Sequence, residues 1–218
     1  MVTYEYTAVT QQITKYNYVD RIIEYPSSID VDGATYAQGD TFHGSFSYDT
    51  ATPLTFYYSD FQDRYTAYHG EAVHHVSTLI FDNHNPTYHS APDGAGAQMS
   101  VTDAHSAADD IYRYPDYLQL VSFNGNYFLG FDFANSTDNS IIDGPHSPAS
   151  LSLERFPYAW ATFGRIYEPA LGFSMEAAGR ITSLTLVPAM PVPEPSSYAM
   201  LLAGAVLVAW ARRSRLRG

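Results

Sequence analysis

Tyr117-Leu-Gln-Leu-Val-Ser-Phe123, Asn124-Gly125, Asn126-Tyr-Phe-Leu-Gly-Phe-Asp-Phe133 is the stretch that decides the fold. Apolar and polar residues alternate on both sides of the Asn-Gly pair, as they do in half-buried strands. Asn-Gly supplies the positive φ values of a type I′ turn, so the stretch predicts a hairpin of two aromatic-rich strands. The pattern continues on either side. Asp40-Thr-Phe-His-Gly-Ser-Phe-Ser-Tyr-Asp49 alternates around Phe42, Gly44, Phe46 and Tyr48. Segments 149–156 and 158–163 look like a second pair interrupted at Pro157, and 179–187 forms a last strand. No stretch before Pro188 keeps a helical apolar period over three turns, and 99–110 offers one short helix at most. Many short strands at this spacing predict an all-β domain over residues 1–187, a two-sheet β-sandwich or jelly roll.

Composition agrees with that reading. The 218 residues leave room for one domain of ordinary size and a short appendage. Tyrosine is frequent, with 19 residues, and aromatic side chains suit pleated, half-buried surfaces. Four of the 11 Lys+Arg are Arg212, Arg213, Arg215 and Arg217, which leaves seven basic side chains against 23 acidic ones elsewhere. Such a surface repels nucleic acid and anionic lipid. No cysteine occurs, which excludes disulfides, thiolate metal sites and thiol catalysis.

The end of the chain has three successive parts. Residues 188–197, Pro188-Ala-Met-Pro-Val192-Pro193-Glu194-Pro195-Ser-Ser197, form a linker whose prolines fix φ and remove backbone donors. Tyr198 to Ala211 is an uncharged apolar run of 14 residues, shorter than the ~20 that span a full hydrocarbon core. Arg212, Arg213, Arg215 and Arg217 close the chain. Tyr198 and Trp210 stand where interfacial aromatics belong, and the arginines can snorkel. Residues 198–218 are therefore expected to be a transient transmembrane helix with a cytoplasmic arginine stop and the large domain outside.

The order of these parts closely resembles the PEP-CTERM sorting signal, with Val192, Pro193, Glu194 and Pro195 as its motif. The segments 39–49 and 179–185 also look like parts of the β-rich ectodomains that often precede this signal. The resemblance implies that an exosortase in the inner membrane recognises the motif, releases the tail and passes the protein to the cell surface or an exopolysaccharide matrix. Family members normally carry an N-terminal signal peptide. Met1-Val-Thr-Tyr-Glu-Tyr-Thr-Ala-Val shows no basic or apolar signal region, so a start assigned too late or an omitted signal is expected, with a cytoplasmic tail-anchored protein as the alternative.

No nucleophile elbow, phosphate loop, His-Glu-x-x-His or EF-hand pattern occurs. His69, His74 and His75 cluster, with His84 and His89 further on. Neighbours on one strand point to opposite faces, so His74 and His75 are expected to serve packing or the surface rather than one metal. Acidic turns are better metal candidates. Asp30 and Asp32 precede Gly33, and Asp138 and Asp143 precede Gly144, placing hard oxygen ligands for Ca²⁺ on loops. Tyr57, Tyr58, Tyr65, Tyr68, Tyr112, Tyr114 and Tyr117 are candidates for stacking on sugar rings. The expectation is an exported, non-enzymatic surface or matrix protein that requires no cofactor. A carbohydrate-binding module or carbohydrate-active enzyme on the same scaffold is the alternative.

Overall fold

The computed structural model describes residues 1–52, 56–59, 64–69, 75–90, 97–104, 116–135, 140–142, 146–166 and 172–188, and every regular element among them is a β-strand. In chain order the strands are β1 (Val2–Asn17), β2 (Ile22–Glu24), β3 (Ser28–Val31), β4 (Ala34–Ala37), β5 (Thr41–Tyr48), β6 (Phe56–Ser59), β7 (Arg64–His69), β8 (Val76–Phe81), β9 (His84–His89), β10 (Gln98–Ala104), β11 (Asp116–Asn124), β12 (Tyr127–Asn135), β13 (Tyr158–Arg165) and β14 (Phe173–Val187). Twelve of them make one sheet in the order β6-β7-β10-β11-β12-β13-β14-β1-β5-β8-β9, with β2 attached to β1. β3 and β4 form a separate hairpin. The all-β expectation is met.

The two layers foreseen from the sequence are halves of this one sheet. β5 and β12 stand four strands apart in the order, a separation of about 19 Å in a flat sheet at ~4.8 Å per strand. Phe46 of β5 nevertheless packs 4.3 Å from Phe131 of β12, centroid to centroid. Tyr6 of β1 meets the same ring edge-on at 5.0 Å. The sheet must therefore curl back on itself. The core lies inside the curl, with Phe42, Phe46, Tyr48, Leu118, Leu120, Phe131 and Phe133 fully buried.

The curl is made possible by the long pair β1 and β14. Their register shifts between Thr7 and Ala8 and again between Thr10 and Gln12. Thr182 is left over on one strand and Gln11 on the other, so each strand carries one bulge. A bulge bends its strand and reverses the alternation beyond it. β1 buries Tyr4, Tyr6, Ala8 and Thr10 before the bulge and Ile13 after it. β14 buries Met175, Ala177 and Ile181, then turns Leu184 toward the core. The first half of β1 pairs with β5 and its last residues with β2. At the bend Thr10 stays opposite Gly179 of β14 and, on its other side, exchanges backbone hydrogen bonds with Gly39 and Asp40, both at 2.8 Å.

Three local expectations differ from the structure. The β11–β12 turn falls on Gly125-Asn126, one residue later than Asn124-Gly125. Asn124 stays in the ladder opposite Tyr127, and only Gly125 (φ 58°) has positive φ. Those are the φ signs of a II′ turn, with glycine first. The shift lets every residue of β11 face a residue of β12. Segment 149–156 is a turn and not a strand, because side chains satisfy its backbone. Leu151 N–H donates to the Tyr4 hydroxyl at 2.7 Å, and Asn135 Nδ2 donates to the Arg155 carbonyl at 2.7 Å. Finally, residues 99–104 are strand, paired on both sides by β7 and β11. The rest of the short helix suggested there lies outside the described residues.

Gly179 sits at the bend, where a Cβ would stand 2.6 Å from Phe42 Cε1 and 3.0 Å from the Val9 carbonyl carbon. Phe42 is fully buried and cannot swing away. Alanine within a strand normally gains about 0.5–1 kcal/mol over glycine, so overlap must reverse that sign. Gly179→Ala is expected to cost about 1–3 kcal/mol, seen as a lowered urea-unfolding midpoint. An unchanged or raised midpoint would show that the bend has slack.

Candidate functional site

The β3–β4 hairpin closes on Asp32-Gly33, between the paired residues Val31 and Ala34. Asp32 (φ 53°) and Gly33 (φ 81°) are both left-handed, the pattern of a type I′ turn. The turn directs the Asp32 carboxylate onto the main sheet. Arg165 Nη1 donates to Asp32 Oδ1 at 2.8 Å, and the Tyr127 hydroxyl donates to Asp32 Oδ2. Arg165 and Tyr127 are themselves opposite each other in the ladder, and the guanidinium lies 5.5 Å over the Tyr127 ring. The Arg165 side chain is only 9% exposed while Asp32 is 46% exposed. A guanidinium this buried needs a fixed carboxylate, and the turn supplies it.

Aromatic rings line the space beside this network. Tyr127 stacks on Phe163 at 5.5 Å and 8°, and Tyr88 meets Phe163 edge-on at 6.0 Å. Asn124 Nδ2 donates to the His89 carbonyl at 2.8 Å, which ties the β11–β12 turn to the end of β9. Together these residues enclose a pocket of about 220 Å³. Tyr36 packs behind it against Phe163. Burial, reinforced by Asp32 and opposed by Arg165, pushes the Tyr36 hydroxyl up to about 12.

A second polar group lies on the outward face of β11–β14. The Tyr117 hydroxyl donates to Asp132 Oδ1, and Gln119 Nε2 reaches the same oxygen at 3.0 Å. Desolvation raises the Asp132 carboxyl, against the lowering effect of those two donors. Glu176 is raised by desolvation and then by the charge of Asp132. Trp160, the ladder neighbour of Asp132, packs 5.7 Å from Tyr158.

A family model described as the PEP-CTERM protein-sorting motif matches residues 191–216. No curated protein and no solved structure matches the chain. The chain carries a PEP-CTERM sorting signal. The signal implies exosortase-mediated sorting, with export and membrane transit toward the cell surface. Val192, Pro193, Glu194 and Pro195, the span residues Tyr198 and Trp210, and the stop residues Arg212, Arg213, Arg215 and Arg217 lie outside the described residues. Among the described residues no helix is long and apolar enough to cross a membrane.

The acidic turns have separate structural partners. Asp30 accepts from Thr35 Oγ1 at 2.6 Å, Asp32 holds Arg165 and Tyr127, and Asp138 and Asp143 lie outside the described residues. Among the described residues no group of three or more His, Cys, Asp or Glu is placed to hold a metal ion. His89 is exposed. His74, Tyr112 and Tyr114 lie outside the described residues, as do the side chains of His69, His84, Tyr57, Tyr58, Tyr65 and Tyr68. Sequence reasoning missed Arg165, although it follows Ala159, Ala161 and Phe163 on the buried alternation of β13. A cation at the end of an inward-facing series signals a carboxylate brought from elsewhere.

His75 is fully buried just before β8. Its Nδ1–H donates to the Ser47 carbonyl at 3.1 Å, and its ring meets Phe131 edge-on at 6.1 Å. Nε2 has no hydrogen-bond partner among the described residues. Burial pushes the imidazole down to about 4, although the Ser47 bond opposes the shift. Between its ordinary value near 6.5 and that value, the unfolded chain takes up a proton that the native state refuses. Stability attributable to His75 is therefore intact above pH 6.5 and falls with pH through that window, by about 3 kcal/mol in all. Between pH 7 and pH 4 the unfolding free energy of the wild type is expected to fall by about 3 kcal/mol more than that of His75→Phe. Parallel curves would contradict the assignment.

Proposed function

We propose that this chain is a cell-surface or exopolysaccharide-matrix protein, held briefly in the inner membrane, processed by an exosortase and then released. Its β domain acts on arrival as a non-enzymatic binding module of the β-sandwich class. The single observation that carries the sorting part is the match at residues 191–216, where a proline-rich motif, an apolar run and an arginine cluster follow in order. Pro193, Glu194 and Pro195 act as a substrate motif, and the arginines hold the C-terminus in the cytoplasm until the tail is removed. The curled sheet supports a sandwich-class scaffold, and the Asp32 pocket at one end of it supports binding. Ca²⁺ is not required at Asp32 under this proposal, since the Arg165 guanidinium already balances that carboxylate's charge.

A carbohydrate-active enzyme is the second reading, and the raised pair Asp132 and Glu176 on the outward sheet face favours it. A general acid needs a raised carboxyl. The pocket beside Asp32 is the more specific feature, so the binding reading stands first.

Sorting is tested by fractionating the native host with and without its exosortase, using an antibody to the β domain. The protein is expected in the surface or medium fraction of the first strain and in the membrane fraction of the second. Substitution of Pro193, Glu194 and Pro195 by alanine is expected to reproduce the membrane-bound outcome in the strain that retains the enzyme. Equal distribution in all three would refute the proposal.

A further inference from the structure

We infer that the pocket formed by Asp32, Tyr88, His89, Asn124, Tyr127 and Phe163 binds one neutral pyranose ring of a polysaccharide. The inference rests on the binding-module reading and deepens it by giving that module a site and a ligand class.

Size limits the ligand first. The pocket holds about 220 Å³, roughly the share of seven liquid waters at ~30 Å³ each. That admits one six-membered sugar ring and leaves the next ring of a chain outside. Its wall is aromatic and held in place. Phe163 is 2% exposed, is stacked on Tyr127, and is braced from behind by Tyr36 and Phe81 at 5.6 and 5.9 Å. A preformed, largely apolar wall with a few convergent polar groups is the usual form of a small-ligand site. Phe163 and Tyr88 are buried, so the C–H groups of a pyranose rest on half-buried Tyr127, which they hold in place, while the ring's hydroxyls need partners.

The rim supplies those partners and selects for lack of charge. Asp32 oxygens each accept one protein hydrogen bond and retain a further lone pair for a ligand hydroxyl. Asn124 spends an N–H on the His89 carbonyl, leaving its amide oxygen as an acceptor. The rim is thus rich in acceptors, and a polyol can donate to all of them. Arg165 neutralises Asp32, so an ammonium ligand would have to compete with a buried guanidinium at 2.8 Å. A carboxylate ligand would meet Asp32 itself and a domain with a large acidic excess. A neutral ring avoids both conflicts.

The test uses the full chain in a detergent without a sugar headgroup, observed by saturation-transfer NMR. The probes are the methyl glycosides of glucose, galactose and mannose, with glucosamine and glucuronate as the charged comparisons. Transfer to ring C–H protons is expected for at least one neutral glycoside and neither charged sugar. Asn124→Asp, which keeps an acceptor oxygen, is expected to retain that binding, and Asn124→Ala to weaken it at least tenfold while the domain still unfolds cooperatively, although the lost Asn124 bond to the His89 carbonyl lowers the midpoint. Trp160→Ala, on the outward face, is expected to leave it unchanged. Preference for a charged sugar, or full-strength binding by Asn124→Ala, would overturn the pocket assignment. If the host's own exopolysaccharide still binds the chain in that case, the module reading stands while the pocket falls. Failure of every glycoside and of the exopolysaccharide would defeat both.

Discussion

The antiparallel pair of β1 and β14, bent by one bulge on each strand, is the constraint on which the rest of the domain depends. The pair joins the two halves of the sheet, so its bend decides whether β5 can face β12 across a core. A straight pair would leave Tyr6, Phe46 and Phe131 on an open, flat sheet. The two bulges are also compensatory. Gln11 adds a residue to β1 and Thr182 adds one to β14, so the register recovers on each side of the bend. Phe42 against Gly179 fills the inside of the corner, and the Thr10 exchange with Gly39 and Asp40 ties the corner to the segment just before β5.

Tyrosine does much of the work that disulfides do in other exported domains. With no cysteine in the chain, the irregular segments must be fixed by hydrogen bonds. Tyr4 and Tyr48 fill the core with their rings and reach out at its end with their hydroxyls, to Leu151 N and the Pro148 carbonyl. Tyr6 reaches the Thr78 carbonyl at 3.0 Å, where Gly44 lets β5 and β8 approach closely. Tyr127 holds the β3–β4 hairpin through Asp32. Burial raises the hydroxyls of Tyr6, Tyr48 and Tyr88, which keeps them neutral donors. Asp116 serves the same end from the opposite chemistry, accepting from Ile141 and Ile142 N–H at 2.7 and 2.9 Å.

Much of this was legible in the sequence where one rule governs one segment. The alternation of residues 40–49 and 117–133 gave the strands, because each buries a single face. The corner was harder to see. Its only trace is a change of phase, from Tyr4-x-Tyr6-x-Ala8 to Ile13 and from Met175-x-Ala177 to Leu184, and either change alone resembles noise. Segment 149–156 misled because Leu151 and Leu153 alternate while the backbone partners are side chains. The pocket was the least legible feature. Asp32, Asn124 and Arg165 are distant in sequence, and only the curl and the docked hairpin bring them together. The sorting signal was legible without tertiary structure, since its motif, apolar run and arginine cluster are contiguous in sequence.

The folded domain and the signal meet at the end of β14, the strand that makes the corner. Val187 is the last residue paired with β1, opposite Thr3, and the proline-rich linker begins at the next residue. Among the described residues the last strand of the sheet therefore ends just before the sorting signal. The intact mass of the protein recovered from the surface of its native host tests this account most directly. The account predicts a product that lacks Arg212 to Gly218 and retains β14 through Val187. A surface product that still carries the arginine tail would contradict it.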